Sequence, residues 1–118
     1  FQMCIEELGT IMEQQTPLKM ILLNNNYLGN VRQWQDLMYN HRRSFTKMLN
    51  PYYQKIAEAY GINYDVVIDR EDLKAKVEKM LHTDGPYILE CAVKEEENVT
   101  PMVTPGCAID EMQLHLDI

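Results

Sequence analysis

The sequence lacks the features that mark several large protein classes. Its apolar residues never form a run near the roughly 20 residues of a membrane span, so we expect no membrane-spanning segment. Its three cysteines, Cys4, Cys91 and Cys107, show no CxxC spacing. That excludes a disulfide framework or zinc site and favours a reducing, cytoplasmic location. Cys4 and Cys91 lie in apolar segments, so we expect both in the core. The acidic, amphipathic start does not resemble a signal peptide.

Charge and histidine placement narrow the range of partners. A formal net charge of -7 argues against nucleic acid or an anionic membrane as the main partner. His41-Arg42-Arg43 is the one dense basic stretch, and a solvated loop is favoured there over a phosphate contact. His41, His82 and His115 have neither metal-like spacing nor a Ser/Asp pairing. No residue is a convincing proton-transfer base, so we assign no catalytic residue.

Apolar periodicity divides the chain into alternating helices and strands. Helical spacing in 30–39 runs through Val31, Trp34, Leu37 and Met38. The apolar run 18–24 is continuous, which is typical of a parallel strand covered on both faces. This order predicts an α/β fold of three layers, α/β/α, with a mostly parallel sheet. The predicted elements are helix 2–14, strand 18–24, helix 30–39, loop 40–49, a helix capped by Asn50-Pro51 and stopped by Gly61, strand 62–68, a helix capped by Asp69 with Leu73, Val77, Met80 and Leu81 inside, strand 87–93 and the tail 94–118.

A strand that runs into three asparagines is the most informative feature of the sequence. Asn24-Asn25-Asn26 follows the apolar run and precedes Tyr27-Leu28-Gly29. Asparagine favours turns over strands, and open α/β sheets bind ligands at the carboxyl ends of their strands. Amide oxygens suit hard cations such as Mg²⁺. On the pattern alone, turn capping is favoured over a metal ligand.

The run from Asn24 to Gln35 resembles the second half of the thiamine-diphosphate motif, and more narrowly the large catalytic subunits of the acetolactate synthase (acetohydroxyacid synthase) family. Further stretches agree, and the resemblance covers essentially the whole chain. They are Phe1-Gln2-Met3 with Glu7-Leu8, Ile56-Ala57-Glu58-Ala59-Tyr60-Gly61, Pro101-Met102-Val103 with Pro105-Gly106, and Asp110-Glu111-Met112. Residues 1–118 then correspond to the C-terminal half of the thiamine-diphosphate-binding domain.

The resemblance implies a role for each matching position near Asn25. The Asn25 side chain and the Tyr27 carbonyl would bind Mg²⁺, while Asn24 shapes the turn. Gly29, Asn30 and Val31 would lie near the rings of thiamine diphosphate, and Trp34 would line the substrate pocket. Without the family, Trp34 is better explained as a core aromatic. Asn30 departs from the pattern, where the family usually has Met, and a shorter polar side chain would reshape the pocket.

The resemblance also implies the reaction and the missing parts. The family condenses pyruvate with a second 2-oxo acid, losing CO₂, in branched-chain amino-acid biosynthesis. The Gly-Asp-Gly half of the motif would precede Phe1, so we expect a piece of a longer protein that is inactive alone. The activating Glu and the FAD-binding domain would lie outside this chain. A homodimer or tetramer and a small regulatory subunit are implied for the full enzyme.

Two alternatives remain open at this stage. The first is another thiamine-diphosphate carboligase or decarboxylase, such as a glyoxylate carboligase. The second is a non-catalytic α/β interaction module descended from such an enzyme. The sequence preceding Phe1 would separate them, because every catalytic relative should carry Gly-Asp-Gly there.

Overall fold

Three strands, each close to its predicted position, form a parallel sheet in the computed structural model, which describes residues 1–115. Two units are distinguished: Phe1–Asn24 with Asn50–Val93, and Asn25–Leu49 with the described residues from Lys94 onward. The last three positions of the predicted tail 94–118 lie outside the described residues. The helices and strands are α1 Glu7–Gln14, β1 Lys19–Asn24, α2 Gly29–Met38, α3 Tyr53–Ala59, β2 Asn63–Val67, α4 Leu73–His82 and β3 Tyr87–Ala92.

The first unit is the predicted three-layer α/β/α arrangement. The strand order is β1-β3-β2, and all pairs are parallel. Ile88, fully buried on the central strand β3, packs with Leu8 and Ile11 of α1 and Ala57 of α3. Its neighbour Leu89 points to the other face, into a cluster that includes Met80 of α4. The α/β class and the parallel sheet are therefore confirmed.

Edge position explains why β1 departs from its prediction. The central strand β3 is buried at most positions, whereas Ile21 and Leu23 of β1 are 56% and 68% exposed. Consecutive strand residues point to opposite faces, and only the face of β1 that bears Met20 and Leu22 joins the core beside α1 and α3. The expectation that β1 is covered on both faces is therefore wrong for the described chain.

Several predicted helix details are also corrected. Gln2–Cys4 forms a separate 3-10 turn before α1, which leaves Cys4 exposed and not in the core. α3 begins at Tyr53, so Asn50 is not its cap; Asn50 instead donates to the Asn24 side chain at 2.9 Å. Asp69 precedes a 3-10 turn, Arg70–Asp72, without a side-chain cap.

On α4 only part of the predicted inner face is buried. Met80 is 2% exposed and Val77 packs against the cluster around it, but Leu73 and Leu81 are 41% and 60% exposed. Cys91 is buried on the neighbouring strand as predicted, and burial raises the pKa of its thiol. None of the helices between residues 1 and 115 is long and apolar enough to cross a membrane.

Candidate functional site

Residues 25–28, called here the asparagine turn, connect β1 to α2. The Oδ1 atom of Asn25 accepts a hydrogen bond from the Tyr27 backbone N–H at 3.1 Å. Asn26 adopts the left-handed conformation, with φ of 55°, which asparagine tolerates better than most residues. The predicted turn capping is thus present. A carbonyl oxygen has two lone pairs, so this bond fixes the Asn25 amide and leaves Oδ1 able to accept one further partner.

Gly29 gives the Asn25 side chain the space that it occupies. A Cβ atom at position 29 would come within 2.9 Å of the Asn25 Nδ2 atom, closer than real Cβ contacts allow. Gly29 is the first residue of α2, so the chain turns into the helix directly beside this amide. The absence of a side chain at position 29 therefore leaves room for the Asn25 amide.

Asn24, which we predicted to shape the turn, makes a side-chain hydrogen bond across the sheet. It is the last residue of β1, and its Nδ2 atom donates to the Glu90 Oε1 atom at 2.7 Å. The Tyr64 hydroxyl donates to the other Glu90 oxygen at 2.5 Å. Burial, with this bond, raises the pKa of Tyr64. The three side chains link the adjacent strands β1, β3 and β2 within the first unit.

The donor set at the asparagine turn fits a hard cation in part. Asn25 offers an amide oxygen, and Tyr27 offers a backbone carbonyl, both of which Mg²⁺ accepts. Across residues 1–115 no group of three or more His, Cys, Asp or Glu could hold a metal ion. The turn itself therefore supplies neutral oxygens, and a cation there would need further ligands from beyond the turn.

The residues predicted near the cofactor and substrate lie on the first two turns of α2. Asn30 and Val31 are exposed, and Val31 has 49% of its surface accessible. Trp34 is half-buried one turn later. Residues four apart share a helix face, so Asn30 and Trp34 lie on one side of α2. Asn30 and Trp34 therefore follow one another along the same side of α2, and the first turn of the helix is accessible.

The buried face of α2 is polar, which the sequence pattern did not predict. Arg32, Gln33 and Asp36 are 1%, 2% and 4% exposed, while Val31 and Met38 of the predicted apolar stripe are about half exposed. These polar residues follow helical spacing as regularly as the apolar ones do. Of the predicted stripe, Trp34 and Leu37 are half-buried. Hydrophobic periodicity missed the polar face because it assumes that polar side chains point to solvent.

Asp36 is the buried centre of an ionic cluster in the second unit whose outer members, His41 and Glu96, are exposed. Arg43 donates to both Asp36 oxygens, at 2.7 and 2.9 Å, and also to Glu96 at 2.5 Å. Arg32 and His41 approach Asp36 at 3.6 and 3.3 Å. Hydrogen bonds from Arg43 outweigh burial and lower the pKa of Asp36, and the same pairing raises the pKa of Arg43. Residues 41–43 are exposed, as the favoured interpretation of a solvated loop expects, and within that loop the Arg43 side chain pairs with Asp36 and Glu96.

Sequence comparison associates this arrangement with thiamine-dependent enzymes. The family model described as "Thiamine pyrophosphate enzyme, C-terminal TPP binding domain" matches residues 1–91. The acetolactate synthase isozyme 2 large subunit of Escherichia coli K12 is 42% identical over 113 residues, which are 95% of this chain and 21% of that protein. The mitochondrial acetolactate synthase catalytic subunit of Saccharomyces cerevisiae is 42% identical over 111 residues, 94% of this chain and 16% of that protein.

Structural comparison agrees at the level of the fold. A thiamine diphosphate-dependent 4-hydroxybenzoylformate decarboxylase of Rhodococcus jostii RHA1 superposes with a TM-score of 0.71 and 22% identity. The match covers 80% of this chain and 18% of the decarboxylase. The chain thus spans about a fifth of the length of the relatives that it matches.

Proposed function

The chain belongs to the family of C-terminal TPP-binding domains of thiamine pyrophosphate enzymes, and from this premise we propose that residues 1–118 are the C-terminal half of the thiamine-diphosphate-binding domain of an acetolactate synthase large subunit. Support comes from about 40% identity to such subunits in bacteria, algae, yeast and plants. The aligned region extends through the asparagine turn and into the tail, since it covers about nine-tenths or more of the chain.

The metal part of the proposal assigns Mg²⁺ to Asn25 Oδ1 and the Tyr27 backbone carbonyl. The main supporting observation is that Gly29 lies close against the Asn25 amide: a Cβ added at position 29 would be 2.9 Å from the Asn25 Nδ2 atom. A side chain at position 29 would displace the Asn25 amide, so glycine keeps Oδ1 in the position that the Asx hydrogen bond gives it. The neutral oxygens also suit a cation whose charge is balanced by phosphate groups.

The cofactor part of the proposal assigns the first turn of α2 to thiamine diphosphate. The initial N–H groups of a helix have no partner within the helix and attract anionic phosphate groups. Gly29 permits close approach of such a group, and Asn30 and Val31 present accessible side chains next to it. Bound thiamine diphosphate would supply the carbon nucleophile for 2-oxo acid chemistry, while these residues bind and orient it.

The substrate part of the proposal assigns pyruvate and a second 2-oxo acid to the side of α2 that carries Trp34. A half-buried indole gives an apolar wall with one N–H donor. Asn30 lies one helical turn before Trp34, so its short polar side chain enlarges the space beside the indole compared with Met. We propose that this substitution alters the preference for the second 2-oxo acid.

The remaining parts of the enzyme are proposed to lie outside these residues. They comprise the Gly-Asp-Gly half of the metal site, the activating Glu, the FAD-binding domain, a second copy of the large subunit and a small regulatory subunit. The 118-residue chain alone is accordingly proposed to be inactive, and the complete enzyme to act in the cytoplasm.

Binding of Mn²⁺ as a stand-in for Mg²⁺ tests the proposal. The complete natural protein containing these residues is mixed with thiamine diphosphate, and free Mn²⁺ is measured by electron paramagnetic resonance. We expect Asn25→Ala to weaken Mn²⁺ binding by at least about 10-fold. Asn63→Ala, which loses amide bonds to the Asp84 and Pro86 carbonyls, should bind as the unmodified protein does.

Product analysis with pyruvate tests the reaction. Acetolactate with CO₂ supports the proposal, whereas acetaldehyde as the main product points to a decarboxylase of the same family.

In the Mn²⁺ experiment, equal binding by the Asn25→Ala variant and the unmodified protein would contradict the metal assignment.

A further inference from the structure

The segment 44–48 is hydrogen-bonded to the asparagine turn. We propose that Gln35 and Thr46 are positioning residues for the metal ligands Asn25 and Tyr27. Neither side chain contacts the metal or the cofactor in this proposal. Both act through the backbone of 44–48. The inference rests on the proposed function, and it adds two residues that the family resemblance did not assign.

Gln35 attaches the 44–48 segment to α2 through three hydrogen bonds. Its Nε2 atom donates to the Ser44 carbonyl at 2.9 Å, and its Oε1 atom accepts the Ser44 N–H at 3.2 Å. The same Oε1 atom accepts the Thr46 hydroxyl at 3.1 Å. A side-chain amide that pairs with both backbone groups of one residue acts like a strand neighbour. Gln35 thereby fixes the position of this segment along the helix.

The segment in turn pairs with the asparagine turn. The Thr46 carbonyl accepts the Leu28 N–H at 2.8 Å, and the Met48 N–H donates to the Asn26 carbonyl at 2.8 Å. Thr46 is only 2% exposed, so water has little access to this residue of the ladder. Both backbone bonds flank Tyr27, which prevents rotation of the two peptide units that set the direction of its carbonyl.

In the register of this ladder, the Tyr27 carbonyl, a proposed metal ligand, is not hydrogen-bonded to the segment 44–48. Tyr27 and Lys47 form an isolated antiparallel bridge. The bonds at Leu28 and Asn26 on either side make this the non-hydrogen-bonded type of pair. The Tyr27 carbonyl therefore makes no ladder bond, and its N–H is used by Asn25. Shifting the segment by one residue would turn that carbonyl into a ladder acceptor.

The aromatic ring of Tyr27 is restrained from the same direction. The Lys47 ammonium lies 5.5 Å from the ring centroid, and the Arg32 guanidinium lies 5.7 Å from it. Mg²⁺ demands nearly octahedral geometry, so a ligand turn must be held in one conformation. Loss of the Gln35 hydrogen bonds would release the segment 44–48 from α2 and allow the asparagine turn to adopt other conformations.

Four variants of the complete natural protein test this inference. Gln35→Ala removes all three bonds, and Thr46→Val removes the hydroxyl while keeping the size and the backbone carbonyl. Thr46→Ser restores the hydroxyl. Gln33→Ala is the matched control, because Gln33 also pairs with the backbone of one residue, Val99, but not with 44–48.

Two measurements are made on each variant. The first is Mn²⁺ affinity in the presence of thiamine diphosphate, and the second is hydrogen exchange of the peptide 25–31 without ligand. Gln35→Ala should weaken Mn²⁺ binding by about 10-fold, as losses of outer-shell partners do, and should speed exchange in 25–31. Thr46→Val should show the same change to a smaller degree. Thr46→Ser and Gln33→Ala should stay within about twofold of the unmodified protein in affinity.

The outcomes separate this inference from the proposed function. If the unmodified protein binds Mn²⁺ and Asn25→Ala does not, but Gln35→Ala binds normally, the positioning role is wrong and the metal site stands. Equal losses in Gln35→Ala and Gln33→Ala would also overturn it, since that pattern indicates general loosening of α2. If the unmodified protein binds no Mn²⁺ with thiamine diphosphate, the proposed function itself fails.

Discussion

Gln33 and Val99 are joined by two hydrogen bonds that resemble a pair of strand neighbours. The Gln33 Nε2 atom donates to the Val99 carbonyl at 3.0 Å, and the Val99 N–H donates to the Gln33 Oε1 atom at 2.7 Å. Arg32 adds bonds to the Glu97 carbonyl and to Asn98. The polar face of α2 therefore binds the backbone of the tail, which explains why polar side chains occupy its buried positions.

Replacing Gln33 with Ala should release the tail near Val99. Two part-buried hydrogen bonds to the Val99 backbone are lost, together with a 3.0 Å contact to the Met102 sulfur, and the Val99 N–H and carbonyl are left without these partners. At about 1–1.5 kcal/mol for each bond, we expect a loss of about 2–3 kcal/mol in local stability. Hydrogen exchange of a peptide covering 97–102 measures this loss.

A matched variant checks that the effect is specific to the buried amide. Gln54 also lies on a helix, and its amide donates to Glu58 at 2.9 Å on the exposed surface. Gln54→Ala should change stability by less than about 0.5 kcal/mol. Unchanged exchange at 97–102 in Gln33→Ala would show that the tail is held by other contacts.

Much of the fold follows from the sequence because the apolar runs decide it. The run ending at Asn24 and the segments before Asp69 and Val93 each contain enough β-branched and apolar residues to form a strand, and helices between them force parallel pairing. Their ends were placed within one or two residues. The half-exposed face at Ile21 and Leu23 was missed, since a continuous apolar run does not reveal whether a strand lies at an edge.

The candidate site was predictable only where local chemistry acts between near neighbours. Asn25 and Tyr27 are two residues apart, so a turn could be foreseen, and the spacing to Gly29 is within one helical turn. The partners of Gln33 and Asp36 could not be foreseen in this way. Val99 lies 66 residues from Gln33, and nothing in a helical pattern states which distant backbone a glutamine will bind.

Acid should remove a stabilising contribution that Asp36 makes at neutral pH. Its pKa is lowered from 3.8, chiefly by hydrogen bonds from Arg43. A carboxyl whose folded-state pKa is depressed stabilises the protein fully above its unfolded pKa, about 3.9, and loses that contribution as pH falls through the folded pKa. The window for Asp36 therefore lies below about pH 4.

Comparison with Asp36→Asn isolates this residue from other acids. Asp36→Asn should cost about 2–3 kcal/mol, because the buried Arg32 loses its counter-ion and Arg43 is left with Glu96 alone. We expect that difference in the free energy of unfolding to shrink below about pH 4, as measured by urea titration. Glu13→Gln, at an exposed position of α1, should parallel the unmodified protein. A difference that grows toward low pH would refute the assignment.

Gly29→Ala should separate binding from folding at the asparagine turn. The new Cβ would meet the Asn25 Nδ2 atom at 2.9 Å, so the planar amide must move, and its Oδ1 atom moves with it. Because the clash is with the end of a side chain, the fold yields easily, and alanine is favoured over glycine in a helix by up to about 1 kcal/mol. Stability should stay level or rise, while Mn²⁺ affinity with thiamine diphosphate falls by about 10-fold.

Gly9→Ala is the control for Gly29→Ala, because it also replaces a helical glycine with alanine. Gly9 also lies in a helix, and a Cβ there would meet the Tyr60 Cε1 atom at an ordinary 3.9 Å. That variant should gain about 0.5–1 kcal/mol in thermal or urea unfolding and bind Mn²⁺ normally. Normal Mn²⁺ binding by Gly29→Ala as well would mean that the Asn25 amide is not a ligand. A loss confined to Gly29→Ala, without loss of stability, is expected if glycine at 29 serves the metal rather than the helix.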